Sequence, residues 1–114
     1  MTDLNLTTRS TPDGAVLAIV GDLDYDTTAT LRAAVEAIVL RPGQTLTLDL
    51  AGLDFCDSTG ITALITAHNH AEAQEANAVL ANTPAHTVRV LNFVGLDQIL
   101  RIHAAPDDTD LPAL

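Results

Sequence analysis

The sequence predicts an α/β domain, a mixed sheet of four to five strands packed against three to four helices. Three observations carry this. Short apolar runs of strand length alternate with longer segments whose apolar residues recur at helical spacing. The first two strand-like runs are separated only by a turn, so they pair as an antiparallel hairpin. The later runs are separated by helices, which is the arrangement that makes strands parallel.

Taken in order, Leu4-Asn5-Leu6-Thr7-Thr8 alternates apolar and polar as a half-buried strand does. Thr11-Pro12-Asp13-Gly14 is a turn, and residues 15–20 form a buried strand returning along the first. Gly21-Asp22-Leu23-Asp24 is expected to leave the sheet as an acidic loop. Asp26 and Thr27 are helix starters, and Leu31, Val35, Ile38 and Val39 follow at helical spacing until Pro42-Gly43 ends the helix. Leu46, Leu48 and Leu50 mark a strand with Thr45, Thr47 and Asp49 on its other face. Residues 51–57 read as a second acidic loop.

A helix then begins at Ser58 and runs to about Glu75, with Ile61, Leu64, Ile65 and His68 or Ala71 on its apolar side. Residues 78–81 form a fourth strand. Thr83-Pro84 starts a third helix with Pro in its first turn. Val88, Leu91 and Phe93-Val94 are its apolar side, and Gly95 stops it. Residues 99–102 form a last short strand or turn. Residues 104–114 are expected to be a frayed acidic tail. The 114 residues suit one domain spanning 1–114, with no repeat or linker.

The net charge is −10, from 15 acidic residues against five basic ones, and all five are arginine. This balance opposes binding to nucleic acid, where cations must replace counterions on phosphate. It opposes an anionic membrane surface equally, and it favours a basic or Arg-bearing protein partner. No apolar run reaches the roughly 18–20 residues that span a bilayer, and residues 1–10 lack the build of a signal peptide. A cytoplasmic location is the expectation. The single Cys56 has no internal disulfide partner and reads as a small buried residue.

The segment Asp54-Phe55-Cys56-Asp57-Ser58-Thr59-Gly60 lies where a strand hands over to a helix. Ser58 is placed to be the N-cap, its hydroxyl facing unpaired backbone N–H groups. Two readings stand side by side: Ser58 merely caps the helix, or it accepts a phosphate that adds about −1.5 to −2 charges to an already acidic loop. Gly60 lets another backbone approach the first turn closely.

Leu48-Asp49-Leu50-Ala51-Gly52-Leu53-Asp54-Phe55-Cys56-Asp57-Ser58-Thr59-Gly60-Ile61 resembles the signature of STAS domains, and its core is similar to the Asp-Ser-Ser/Thr-Gly motif of bacterial anti-sigma factor antagonists. Gly21-Asp22-Leu23-Asp24 resembles the family's segment after the second strand. Thr83-Pro84 through Leu91 and Asn92-Phe93-Val94-Gly95-Leu96 resemble its third helix and closing Gly-Leu. The resemblance implies a STAS-like fold and an anti-anti-sigma role without enzymatic activity. It implies Ser58 as the phosphoacceptor, and Asp24, Tyr25, Asp57, Ser58, Thr59, Gly60, Ile61 and Thr62 as the partner-binding surface. The implied partners are an anti-sigma factor that is also a serine kinase, and a phosphoserine phosphatase. Unmodified, the chain would bind the anti-sigma factor and release a sigma factor; phosphate on Ser58 would block binding. The alternative within the family is an interaction module of a transporter or signalling complex with no phosphorylation cycle. The sequence departs from the family pattern at Ala76-Asn77, which lacks a Gly-Gly-like turn, and in its short, Pro-containing tail.

No cofactor is expected, since no Gly-rich phosphate loop appears and nucleotide would come from the kinase. No metal is expected either. His68, His70, Glu72 and Glu75 share one helix but read as a solvated polar face. The aspartates of the acidic loops lack the lysine that a receiver domain's phosphoacceptor pocket needs. Tyr25 is equally an interface anchor or a ring folded over the core edge.

Overall fold

A computed structural model describes residues 4–105. Strand β1 (Leu4–Thr11) and strand β2 (Gly14–Leu23) form the expected antiparallel hairpin. At its turn, Gly14 has φ +146°, and a Cβ there would lie 2.0 Å from the carbonyl oxygen of Thr45. Only glycine lets the hairpin sit this close to the next strand. Helix α1 (Thr28–Glu36) leads to β3 (Thr45–Asp49), which lies parallel to β2. Strand β4 (Leu53–Cys56) and helix α2 (Ser58–Ala73) follow, then β5 (Asn77–Thr83), helix α3 (Ala85–Phe93), a 3-10 turn at Leu96–Gln98 and β6 (Arg101–Ala104). The sheet is mixed and six-stranded, in the order β1-β2-β3-β5-β6, with β4 paired to the end of β2.

The parallel strands β2, β3, β5 and β6 step across the sheet in one direction. Right-handed crossovers then put α1, α2 and α3 on the same face. The burial pattern agrees. Leu17, Ile19, Leu46, Leu48 and Leu80 are fully buried under the helices, with Leu31, Leu64 and Leu91 opposite them. The alternate residues Val16, Ala18, Thr47, Val79 and Ala81 are only half-buried, on a sheet face that no described helix covers. Aliphatic side chains alone fill this core, as a chain with three aromatics requires.

Several expectations are corrected. Gly21-Asp22-Leu23 does not leave the sheet, and residues 51–57 are not all loop. The two segments pair with each other in parallel, Gly21 with Leu53, Asp22 with Phe55 and Leu23 with Cys56. An irregularity in this pairing breaks the alternation of β4, which is why it reads as loop. Helix α1 ends at Glu36, not at Pro42-Gly43. Ile38 and Leu40 are still buried, but from the irregular chain beyond the helix; the Leu40 N–H donates to Gln74 Oε1 at 2.8 Å. Val39, expected on the apolar stripe, is exposed.

Helix α2 buries Gly60, Ala63, Leu64, Ala67 and Ala71, whereas Ile61 and Ile65 are half-buried flanks. Small residues face inward because the helix packs closely on both α1 and β5. Helix α3 buries Thr87 and Leu91, one turn apart, which turns Phe93 and Val94 outward; Phe93 is 90% exposed. Pro84 is the cap of α3 and lies just before its first turn. Gly95 ends α3 in the left-handed region at φ +80°, as expected. Ala104 closes β6 and the Ala105 N–H donates to Thr83 O at 2.9 Å, so these two residues are not frayed; residues 106–114 of the expected tail lie outside the described residues.

Candidate functional site

Because β4 runs parallel beside the end of β2, both chains finish at the same end of the sheet. The acidic loop after Leu23 and the start of α2 therefore emerge side by side. The Asp57 N–H donates to Leu23 O at 3.2 Å and ties them together. Gly60 permits this. A Cβ on it would lie 2.5 Å from Leu23 O and 2.8 Å from Cys56 Sγ, so a side chain would force α2 away from β2.

The cap of α2 corrects the expectation for Ser58. Asp57 is the N-cap, with extended backbone, and its Oδ1 accepts the Gly60 N–H at 3.0 Å and the Thr59 hydroxyl at 2.5 Å. A carboxylate is the better acceptor at a helix start, where the dipole favours negative charge. The Thr59 hydroxyl first, then the Gly60 N–H, hold the Asp57 carboxyl below its ordinary range. Ser58 is the first helical residue, exposed, and its hydroxyl takes no part in the cap.

The neighbouring loop is held by Asp24, whose Oδ1 accepts the N–H groups of Asp26 and Thr27 at 3.0 and 3.2 Å. The Thr27 hydroxyl does not cap α1 as expected of a helix starter; it reaches back to Asp22 O at 2.8 Å. This fixed turn presents Tyr25, which is 79% exposed and so is not folded over the core edge. Thr62 is exposed one turn after Ser58, its hydroxyl donating to Ser58 O at 3.1 Å.

The structure thus brings Asp24, Tyr25, Asp57, Ser58, Thr59, Ile61 and Thr62 to one end of the sheet. Ser58, Tyr25 and Thr62 are open to solvent, and Ile61 is half-buried. Gly60 is buried, so it shapes this surface from beneath. Cys56 lies half-buried under it; burial first, and the Asp57 charge second, push its thiol up to about 12. A thiol so shifted stays protonated and inert at neutral pH. Sequence reasoning did not single out Phe55 and Val20, which are 53% and 44% exposed near this end. An aromatic inside an acidic segment was the available signal.

The histidines of α2 lie elsewhere. His70 Nε2 is 3.0 Å from Ile38 O and 2.9 Å from Gln74 Nε2, in a contact that ties α2 to the chain after α1. Among the described residues no group of three or more His, Cys, Asp or Glu side chains is placed to hold a metal ion, and no helix is long and apolar enough to cross a membrane. A shallow cavity of about 560 Å³ at Pro12, Pro42, Gly43 and Thr45 opens at the opposite end of the sheet.

The family described as "Mlab, STAS domain" matches the chain over residues 6–102. The chain is 32% identical to the anti-sigma F factor antagonist of Lysinibacillus sphaericus, over 82% of this chain and 78% of that protein. Its fold is similar to the crystal structure of an anti-sigma factor antagonist from Mycobacterium paratuberculosis, with a TM-score of 0.76, 21% identity, and coverage of 95% of this chain and 90% of that one. It is similar also to the Bacillus cell fate determinant SpoIIAA in its phosphorylated form, with a TM-score of 0.64, 20% identity and 95% of each chain covered. At these identities the structural likeness shows the shared fold.

Proposed function

This chain belongs to the STAS domain family, and on that premise we propose that it is an anti-sigma factor antagonist switched by phosphate on Ser58. Unmodified, it binds an anti-sigma factor in the cytoplasm and so frees a sigma factor. The same partner, acting as a serine kinase, transfers a phosphoryl group from its own nucleotide to Ser58 Oγ, and binding ends. A phosphoserine phosphatase restores the first state. The chain works by being bound, without turnover of its own.

One observation carries this reading: Ser58 is exposed at the first turn of α2, and Asp57 has already taken the cap. The serine hydroxyl is therefore available to another macromolecule at no cost to the helix. A phosphate there finds the Gly60 N–H occupied and the Asp57 carboxylate beside it. At the centre of a docked surface built from Tyr25, Ile61 and Thr62, a dianion must be desolvated without a partner, which costs several kcal/mol. A loss of about 3 kcal/mol already lowers affinity more than a hundredfold. The fold need not rearrange for this.

The reading is tested with purified anti-sigma factors from the same genome and Mg-ATP. The expected result is a mass gain of one phosphate that Ser58→Ala abolishes, with binding by wild type and Ser58→Ala and none by Ser58→Asp. Binding of Ser58→Asp equal to wild type would overturn the mechanism. A STAS module without a phosphorylation cycle would show no mass gain with any of these kinases.

A further inference from the structure

The end of the sheet that carries Ser58 has a second side. Phe55 pairs with Asp22, and Leu23, the next residue on β2, is buried under the helices. By strand alternation Asp22 and Phe55 point to the face that no described helix covers. Val20 lies two residues back along β2 on that same face, its methyl groups against Gly52, where a Cβ would lie 2.9 Å from Val20 Cγ2. Phe55 and Val20 are 53% and 44% exposed, whereas Val16, Ala18, Val79 and Ala81 on the same face are half-buried. Around them stand Asp22, which is half-buried, and Asp54, which is exposed. No arginine of the chain is within two residues of this patch on either strand.

We propose that the partner's footprint turns the rim of the sheet at Ser58 and continues onto the helix-free face, where Phe55 is its apolar anchor. The occupant is the anti-sigma factor of the proposed function, so this inference rests on that reading. Charge complementarity identifies the surface it must present: an apolar pocket for the Phe55 ring, bordered by Lys or Arg facing Asp22 and Asp54. The two sides of the rim then divide the work. Phe55 and Val20 supply contact area that phosphate does not touch, and Ser58 decides whether the rim can close. Exposed aromatics at the centre of such a patch are the residues whose truncation weakens binding most.

The test measures binding of an anti-sigma factor that captures the unmodified chain, by calorimetry, with Phe55→Ser, Ser58→Asp and Phe93→Ser. Phe93 is the control. It is exposed at the far end of α3, which runs back from the Ser58 end of the sheet. The expected result is a loss of at least about tenfold for Phe55→Ser, no change for Phe93→Ser, and an unchanged unfolding midpoint for both. If Phe55→Ser binds like wild type while Ser58→Asp does not bind, the extended footprint is wrong and the switch stands. If Ser58→Asp also binds like wild type, the switch itself is wrong. Equal losses for Phe55→Ser and Phe93→Ser would overturn the specific role of Phe55.

Discussion

The Asp57 carboxylate accepts the backbone N–H of Gly60 at 3.0 Å, and this bond separates the cap of α2 from the serine beside it. The two residues should therefore respond differently to truncation. Ser58→Ala removes an exposed hydroxyl from the first helical turn and should change stability by no more than about 0.5 kcal/mol. Asp57→Ala removes the cap and should lower the unfolding midpoint, with Asp57→Asn recovering part of it because an amide oxygen still accepts the N–H. The same bond sets a pH dependence. The folded state holds the Asp57 carboxyl below its ordinary range, so its contribution is present above the unfolded value, about 3.8. It is lost as pH falls through that value and below. Urea unfolding of wild type and Asp57→Asn between pH 3 and 6 checks this: the acid-side slope should be shallower in the variant.

Gly60 bears on the site through packing. A methyl group there meets Leu23 O, Cys56 Sγ and Leu23 Cγ at 2.5, 2.8 and 3.0 Å. Backbone oxygen cannot move aside as a flexible side chain does, so Gly60→Ala should cost about 1–3 kcal/mol, as overpacking does. It should also part the two loops, moving Tyr25 relative to Ser58. Chemical denaturation gives the first effect. Amide shifts of residues 23–27 against those of 56–60 give the second, and a variant as stable as wild type would refute the close packing.

Cys56 gives a prediction at the alkaline side. Its thiol is raised from 9.0 to about 12, by burial first and by Asp57 second. A group raised in the folded state stabilises below its unfolded value and loses that contribution as pH rises toward the folded one. Stability should fall between pH 9 and 12, and Cys56→Ala should remove that part of the slope. At pH 7–8 the native thiol should react slowly with iodoacetamide, and the urea-unfolded thiol at the rate of a free cysteine. Fast alkylation of the native chain would contradict the burial.

What the sequence disclosed and what it hid have physical reasons. The β1–β2 hairpin was legible because Pro12, Asp13 and Gly14 mark the turn locally and both strands alternate. Strand β3 and helix α2 were legible from their periodicities. Strand β4 was not, since it is only four residues long and the irregularity in its pairing with β2 breaks the alternation. The end of α1 was hidden because Ile38 and Val39 continue the helical spacing of Leu31 and Val35. Past the helix the chain is held instead by a tertiary bond from the Leu40 N–H to Gln74 Oε1. At the site, the family resemblance grouped Asp24 and Tyr25 with Ser58, and the pairing of β2 with β4 is the physical reason they emerge at the same end of the sheet. Which of two adjacent residues caps a helix depends on backbone angles, and Asp57 and Ser58 are both good caps by type.

Thr83 closes β5 just before Pro84 and the start of α3. It is fully buried, and its hydroxyl oxygen has no hydrogen-bond partner among the described residues. Its backbone is well used, with Thr83 O accepting the Ala105 N–H at 2.9 Å. Leaving a buried hydroxyl unpaired costs about 1–3 kcal/mol, whereas an apolar group of the same shape incurs no such penalty. Valine matches threonine in shape and keeps the branched side chain that strands favour. Thr83→Val should therefore raise stability by about 1 kcal/mol, read as a higher urea midpoint with an unchanged slope. Thr83→Ala should lower it, because the methyl group packs in the core and its loss leaves a cavity. A Thr83→Val variant less stable than wild type would mean that the hydroxyl, not the shape of the side chain, holds this corner of the fold.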